Sequence, residues 1–82
     1  MSQLTLFYMP TCPYCRKVTH YMEQHHIELP LKNTLENTQN RLELQKIGGK
    51  TQVPCLVIDG RALYESDDII EWLKKNLATS TN

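Results

Sequence analysis

Hydrophobic residues first gather at Leu4-Thr5-Leu6-Phe7-Tyr8, a short strand-like run ended by Met9-Pro10. Thr11 or Cys12 is placed to cap a helix whose first position is Pro13, where a missing N–H costs nothing. Tyr14, Val18 and Met22 recur at i, i+4 and i+8, which predicts one buried helical face. Ile27, Leu29 and Leu31 alternate and predict a second strand over 27–31; Pro30 makes it short or an edge. Residues 37–47 are polar and helix-forming, with Leu42, Leu44 and Ile47 as apolar anchors and Gly48-Gly49 as the stop. Cys55-Leu56-Val57-Ile58 is a continuous apolar run that suits a central strand. Asp59-Gly60 then signals a hairpin turn, and Arg61-Ala62-Leu63-Tyr64 returns. Ser66 is the expected cap of a last helix. Asp67 and Asp68 favour its positive end, Lys74 and Lys75 its negative end, and Ile69, Ile70, Leu73 and Leu77 form its buried stripe.

The order is β-α-β, then α, then β-β-α. A βαβ unit implies parallel pairing, and the hairpin adds an antiparallel pair. The expectation is an α/β fold: a four-stranded mixed sheet with three helices on its faces. Residues 1–78 form one domain and 79–82 a frayed polar tail.

The chain has 82 residues, too few for a two-domain enzyme or a large internal cavity, since such a chain buries only about 60–65% of its unfolded surface. Nine basic and nine acidic residues give zero formal net charge, which argues against a general nucleic-acid binder. No apolar run approaches the roughly 20 residues of a membrane helix, so no membrane partner is expected. The N-terminus lacks a basic region before its apolar residues, which predicts a cytoplasmic protein. Three cysteines are an odd count. In a reducing compartment that pattern points to catalysis or metal rather than to structural bridges.

Cys12-Pro13-Tyr14-Cys15 carries the candidate chemistry. First-turn amides and the helix dipole converge on a sulfur at the helix mouth and favour its thiolate. Arg16 and Lys17 add positive charge nearby. Cys12 is therefore the expected nucleophile. Cys15, a turn further in, is the expected resolving thiol. This spacing beside a βαβ unit is a thioredoxin-like redox signal. Half a zinc site is the competing reading. Tetrahedral zinc wants four ligands, and His20, His25, His26 and Cys55 supply no paired spacing, so no metal is expected.

Cys-Pro-Tyr-Cys at 12–15, Gln52-Val53-Pro54 and Glu65-Ser66-Asp67-Asp68 resemble the glutaredoxins, over Leu4 to about Leu77. The second half is also similar to the thioredoxin-fold N-terminal domain of glutathione S-transferases. The resemblance implies a thioredoxin fold and a monomeric glutathione-dependent thiol–disulfide oxidoreductase. Such an enzyme binds no resident cofactor and uses glutathione as reducing co-substrate; its partners are glutathionylated or disulfide-containing proteins. Pro54 matches the family's cis-proline, with the backbone of Val53, beside Gln52, pairing with the cysteinyl unit of glutathione like an added strand. Glu65, Ser66 and Asp67 match the segment that holds the γ-glutamyl end. There Ser66 and Asp67 offer N–H groups to its carboxylate, and Asp67 or Glu65 takes its ammonium. Tyr14 would line the thiol groove. Two positions depart from the family pattern. Met9 stands where many glutaredoxins carry a basic residue, which leaves Arg41 or Lys50 to meet the glycine carboxylate. Tyr64-Glu65 replaces a common Gly-Gly pair, a shift towards the transferase pattern.

Plainer readings stand beside these. Asp67 and Asp68 are also good dipole-favouring residues, and Pro54 also fits a trans strand-starter. Cys55 reads as an inert buried thiol, the histidines as surface residues, and Tyr8, Tyr21 and Trp72 as core or rim. Two functional rivals differ in class. In one, the chain bridges a [2Fe–2S] cluster with glutathione, although Pro13-Tyr14 and a second thiol at Cys15 differ from the Gly-Phe and Ser usual in cluster-trafficking members. In the other, it is a non-catalytic adaptor.

Overall fold

The computed structural model describes residues 3–76. Four strands and three helices follow in the order β1 (Leu4–Tyr8), α1 (Pro13–Gln24), β2 (Leu31–Asn33), α2 (Thr38–Gly48), β3 (Cys55–Ile58), β4 (Arg61–Tyr64) and α3 (Ser66–Asn76). The sheet order is β2-β1-β3-β4. β2 runs parallel to β1, while β3 pairs antiparallel with both β1 and β4. This is the thioredoxin fold, with the mixed sheet and three helices that the sequence predicts.

Strand alternation splits the core into two layers. Leu6 and Leu56 face α1 and α3, where Val18, Met22, Ile69 and Leu73 close around them. Phe7, Cys55 and Val57 face the other way, against Leu44 of α2. β3 is thus buried on both faces, which is why it reads as an unbroken apolar run. On the second face Lys32 of β2 reaches Glu43 of α2 at 2.6 Å, which ties that helix to the edge strand.

Turn chemistry follows backbone need. Asp59 and Gly60 both have positive φ, 50° and 85°, as a two-residue hairpin turn requires. The Asp59 carboxylate also accepts from the Gln3 N–H at 2.7 Å, pinning the hairpin to the start of β1. Asn37 caps α2 by accepting from the Gln39 N–H, and Gly49 ends that helix in the left-handed region at φ 81°.

Four local expectations change. The second strand lies at 31–33, after Pro30 rather than before it. Pro30 has no N–H to give the ladder, and its carbonyl accepts from Leu6 at 2.9 Å as β2 begins. Ile27 is buried as core, but in a non-strand segment. The buried face of α1 is Cys15, Val18 and Met22, while Tyr14 is 65% exposed. Ser66 is the first helical residue of α3 rather than its cap: Glu65, at φ 74°, precedes it and accepts from the Ile69 N–H at 3.0 Å. Among the expected anchors of α2, Leu44 is buried and Leu42 exposed. The Leu77 and tail assignments lie outside the described residues.

Candidate functional site

The central strand β1 ends at Tyr8, and the Met9-Pro10-Thr11 loop turns the chain into α1. The Cys12 N–H donates to the Met9 carbonyl at 3.1 Å, which closes this turn. Cys12 is the N-cap residue, with extended backbone, and its sulfur sits half-buried at the helix mouth. It makes no cap hydrogen bond of ordinary geometry. Partial burial disfavours its charge, but the Cys15 N–H, the Cys15 thiol and the Tyr14 N–H together outweigh burial. The Cys12 pKa is thereby held below its ordinary 9.0. The basic neighbours contribute none of this: the cause is amides and a thiol.

Cys15 behaves oppositely. It is fully buried. Burial, with further raising by the Cys12 sulfur, pushes its pKa up to about 12 against one opposing donor, the Met9 N–H at 3.4 Å from Sγ. One thiol of the pair is therefore poised to ionise and the other held protonated.

The second wall of the site comes from the turn before β3. The Val53–Pro54 bond is cis, and Pro54 is buried. Among the described residues no backbone hydrogen bond engages Val53, so its N–H and carbonyl remain a free edge. The third wall is the start of α3. Tyr14, Lys17, Gln52, Val53, Pro54, Glu65, Ser66 and Asp67 together line a groove of about 450 Å³ beside the Cys-Pro-Tyr-Cys helix mouth. Within it Gln52 donates to Glu65 at 3.5 Å, and Lys17 meets Asp67 at 2.6 Å.

Every residue proposed from the resemblance for the cysteinyl and γ-glutamyl units thus lies in one groove. Arg41 and Lys50 do not. Arg41 lines a separate 270 Å³ cleft that includes Met9 and Thr51. Lys50 turns to the Tyr64 ring, 4.4 Å from its centroid, and its carbonyl accepts from the Tyr64 hydroxyl at 3.3 Å. Lys17 is the groove residue whose place sequence reasoning missed. Its spacing from Tyr14, one turn along α1, is the signal that could have found it. Among the described residues no three His, Cys, Asp or Glu side chains cluster so as to hold a metal ion. No helix among them is long and apolar enough to cross a membrane.

Fold and site together define a thioredoxin-fold protein with a dithiol helix mouth facing a cis-proline groove. The chain belongs to the glutathione S-transferase N-terminal domain family, which matches residues 6–81. It is also similar to an uncharacterized glutaredoxin-like 8.6 kDa protein of the rubredoxin operon of Clostridium pasteurianum. The two are 27% identical over 73 residues, covering 83% of this chain and 97% of that protein. Among solved structures, a glutathione transferase homolog from Drosophila mojavensis with bound glutathione superposes at a TM-score of 0.79. It is 17% identical, over 96% of this chain and 37% of that one. The holo form of glutaredoxin C1 from Populus tremula x tremuloides superposes at 0.67, with 21% identity, over 89% of this chain and 75% of that one. The chain thus spans little more than a third of that transferase and most of the glutaredoxin. The family carries glutathione in its name, and the transferase homolog was solved with glutathione bound.

Proposed function

We propose that the protein is a glutaredoxin-type oxidoreductase that reduces glutathione mixed disulfides and protein disulfides at the expense of glutathione. The observation that carries this is the contrast within one dithiol: Cys12, lowered, sits half-buried at the mouth of the helix whose Tyr14 and Lys17 line the groove, and Cys15, raised to about 12, is buried a turn further in.

The Cys12 thiolate attacks the glutathione sulfur of a mixed disulfide. A Cys12–glutathione disulfide forms, and the target's sulfur leaves as thiolate and takes a proton from water. A second glutathione thiolate then attacks the sulfur of the bound glutathione, releasing oxidised glutathione and restoring the Cys12 thiolate. With a protein disulfide, Cys12 forms a mixed disulfide with the target and Cys15 attacks the Cys12 sulfur. Once Cys12 is bonded, its charge no longer opposes ionisation of Cys15, which removes a lesser cause of the raised pKa while burial, the largest, remains. In the groove the free edge of Val53 pairs with the cysteinyl unit, and Asp67 or Glu65 takes the γ-glutamyl ammonium. Ser66 and Asp67 offer amides to the carboxylate. Arg41, in the cleft that holds Met9, is better placed than the Tyr64-bound Lys50 for the glycine carboxylate. On this reading the protein acts as a monomer in the reducing cytoplasm.

A coupled glutathione reductase assay tests this. Cys12→Ser is expected to lower turnover of a glutathione mixed disulfide by more than about 10³-fold, the scale on which losing a nucleophile acts. Cys15→Ser is expected to retain that turnover while losing reduction of protein disulfides. An active Cys12→Ser variant removes the proposed nucleophile and the reading with it.

A further inference from the structure

One of the groove's charges, Lys17, has no part in the oxidoreductase reading. Its charged lining residues among those described are Lys17, Glu65 and Asp67. Two carboxylates alone would welcome an ammonium and repel a carboxylate. Lys17 changes that. It rises from the second turn of α1, three residues past Tyr14, and crosses to α3, where Nζ lies 2.6 Å from Asp67 Oδ1. The pair joins the helix that carries the dithiol to the helix that forms the groove's far wall. Both side chains are well exposed, 53% and 81%. An exposed pair of this kind is weakly coupled and screened, so a ligand carrying its own opposite charges can open it at little cost.

We propose that Lys17 is a specificity residue that binds the α-carboxylate of a γ-glutamyl group, the resting Lys17–Asp67 pair opening to admit that group's zwitterionic end. This rests on the glutathione reading above and deepens it. In the bound state the ligand ammonium lies against Asp67 and its carboxylate against Lys17. One ion pair is exchanged for two of alternating sign, with the first amides of α3 adding donors to the carboxylate. Pre-pairing also keeps Lys17 extended across the groove rather than free in solvent, so less side-chain freedom is lost on binding. The groove thereby selects thiols ending in an α-amino acid over thiols carrying an ammonium or a carboxylate alone.

The test uses the full chain and three small mixed disulfides with one reporter thiol. One is of glutathione. The second is of 4-aminobutyryl-cysteinylglycine, which keeps the ammonium and lacks the α-carboxylate. The third is of N-acetylcysteinylglycine, which lacks both. Lys17→Gln is expected to raise KM for the glutathione compound about tenfold, the size of one lost charge-assisted contact, with the change falling on KM rather than kcat. For the 4-aminobutyryl compound KM is expected to stay within about twofold or to fall, because Asp67 is freed for the ammonium. Lys17→Arg is expected to recover most of the glutathione preference. An unchanged KM for glutathione overturns the proposal. So does an equal rise for both ammonium-bearing compounds, which would place the effect of Lys17 on Cys12 or on folding. If the parent protein reduces the N-acetyl compound as well as the glutathione compound, the glutathione reading itself falls and this inference with it.

Discussion

Cys12 and Cys55 stand close in sequence to residues that line the groove, Tyr14 and Pro54, and differ in almost every physical respect. Cys12 stands at the open end of a helix, half-buried, with two amides and a thiol turned to it, and its pKa is lowered. Cys55 follows the buried Pro54, opens β3 and is fully enclosed by Phe7, Leu44 and Val57. Burial pushes its pKa up to about 11, against the Leu63 N–H, the Tyr64 hydroxyl and the Lys50 charge. Both sulfurs have donors. What separates them is how much water each gives up before those donors act. At the helix mouth the desolvation is small enough for aligned amides to win; inside the sheet it is not. Depth separates the two shifts, and neither Arg16 nor Lys17 is among their causes.

The largest test of that contrast is alkylation of the native protein by iodoacetamide across pH. Cys12 is expected to react with a midpoint below 9.0, the ordinary thiol value. Cys55 is expected to react on the order of 10³-fold more slowly or less, since access requires opening of the core. Mass spectrometry of the peptides would assign the sites. Comparable rates at the two sulfurs would end the argument from depth.

A smaller effect comes from the lid over Cys55. Gly48, the last residue of α2, faces Tyr64. A Cβ there would collide with the Tyr64 hydroxyl oxygen, lie 2.9 Å from its Cζ and come within 3.2 Å of the Ala62 Cβ. Tyr64 in turn hydrogen-bonds the Lys50 carbonyl and carries the Lys50 ammonium over its ring. Gly48→Ala is expected to destabilise the protein by about 1–2 kcal/mol in urea unfolding. Overpacking costs about 1–3 kcal/mol, and the helix preference for alanine offsets up to about 1. The same variant is expected to alkylate faster at Cys55. Unchanged stability together with unchanged Cys55 protection would show that Tyr64 yields freely and seals nothing.

Gly48 also marks where sequence reasoning reached its limit. A Gly-Gly pair after a polar helix reads as a stop, and Gly49 with its positive φ does serve as one. The role of Gly48 depends on an aromatic ring sixteen positions later, which no local pattern reveals. The elements themselves were legible because each has a local cause: alternation in β1, an unbroken apolar run in a strand buried on both faces, Asp59-Gly60 for the hairpin. The two misplacements, in the second strand and on the α1 face, have different causes. The strand assignment at 27–31 gave weight to alternation and too little to the missing N–H of Pro30. The Tyr14-Val18-Met22 face obeyed helical spacing but chose the wrong one of two spacings that share Val18 and Met22. The resolving role that the sequence suggests for Cys15 says nothing of packing, yet Cys15 is fully buried and completes the helix's inner face. In the groove, the residues from the cis-proline turn and the start of α3 were legible through resemblance. The crossing of Lys17 to Asp67 was not, because it depends on how α1 packs against α3.

The smallest effect distinguishes the two sulfurs by the sign of their coupling to folding. In the unfolded chain both ionise near 9.0. Folded Cys55 keeps its proton until about 11, so between roughly pH 9 and 11 the folded state binds more protons than the unfolded one. Stability is therefore full below that window and declines as pH rises through it, by less than about 1.4 kcal/mol per unit from one group. Cys15, raised to about 12, and Tyr64, raised above 10.0, act in the same direction. Cys12 acts the other way: its lowered pKa favours folding above the unfolded value, and that contribution is lost as pH falls through the folded one. Urea unfolding of the wild type and Cys55→Ala from pH 8 to 11 isolates the buried sulfur. Cys55→Ala is expected to lose stability at pH 8, where it leaves a small void, and to decline less steeply above pH 9. The two curves should converge as pH rises. Parallel curves would mean that the Cys55 sulfur ionises alike in both states, and its enclosure in the sheet would then have no bearing on its chemistry.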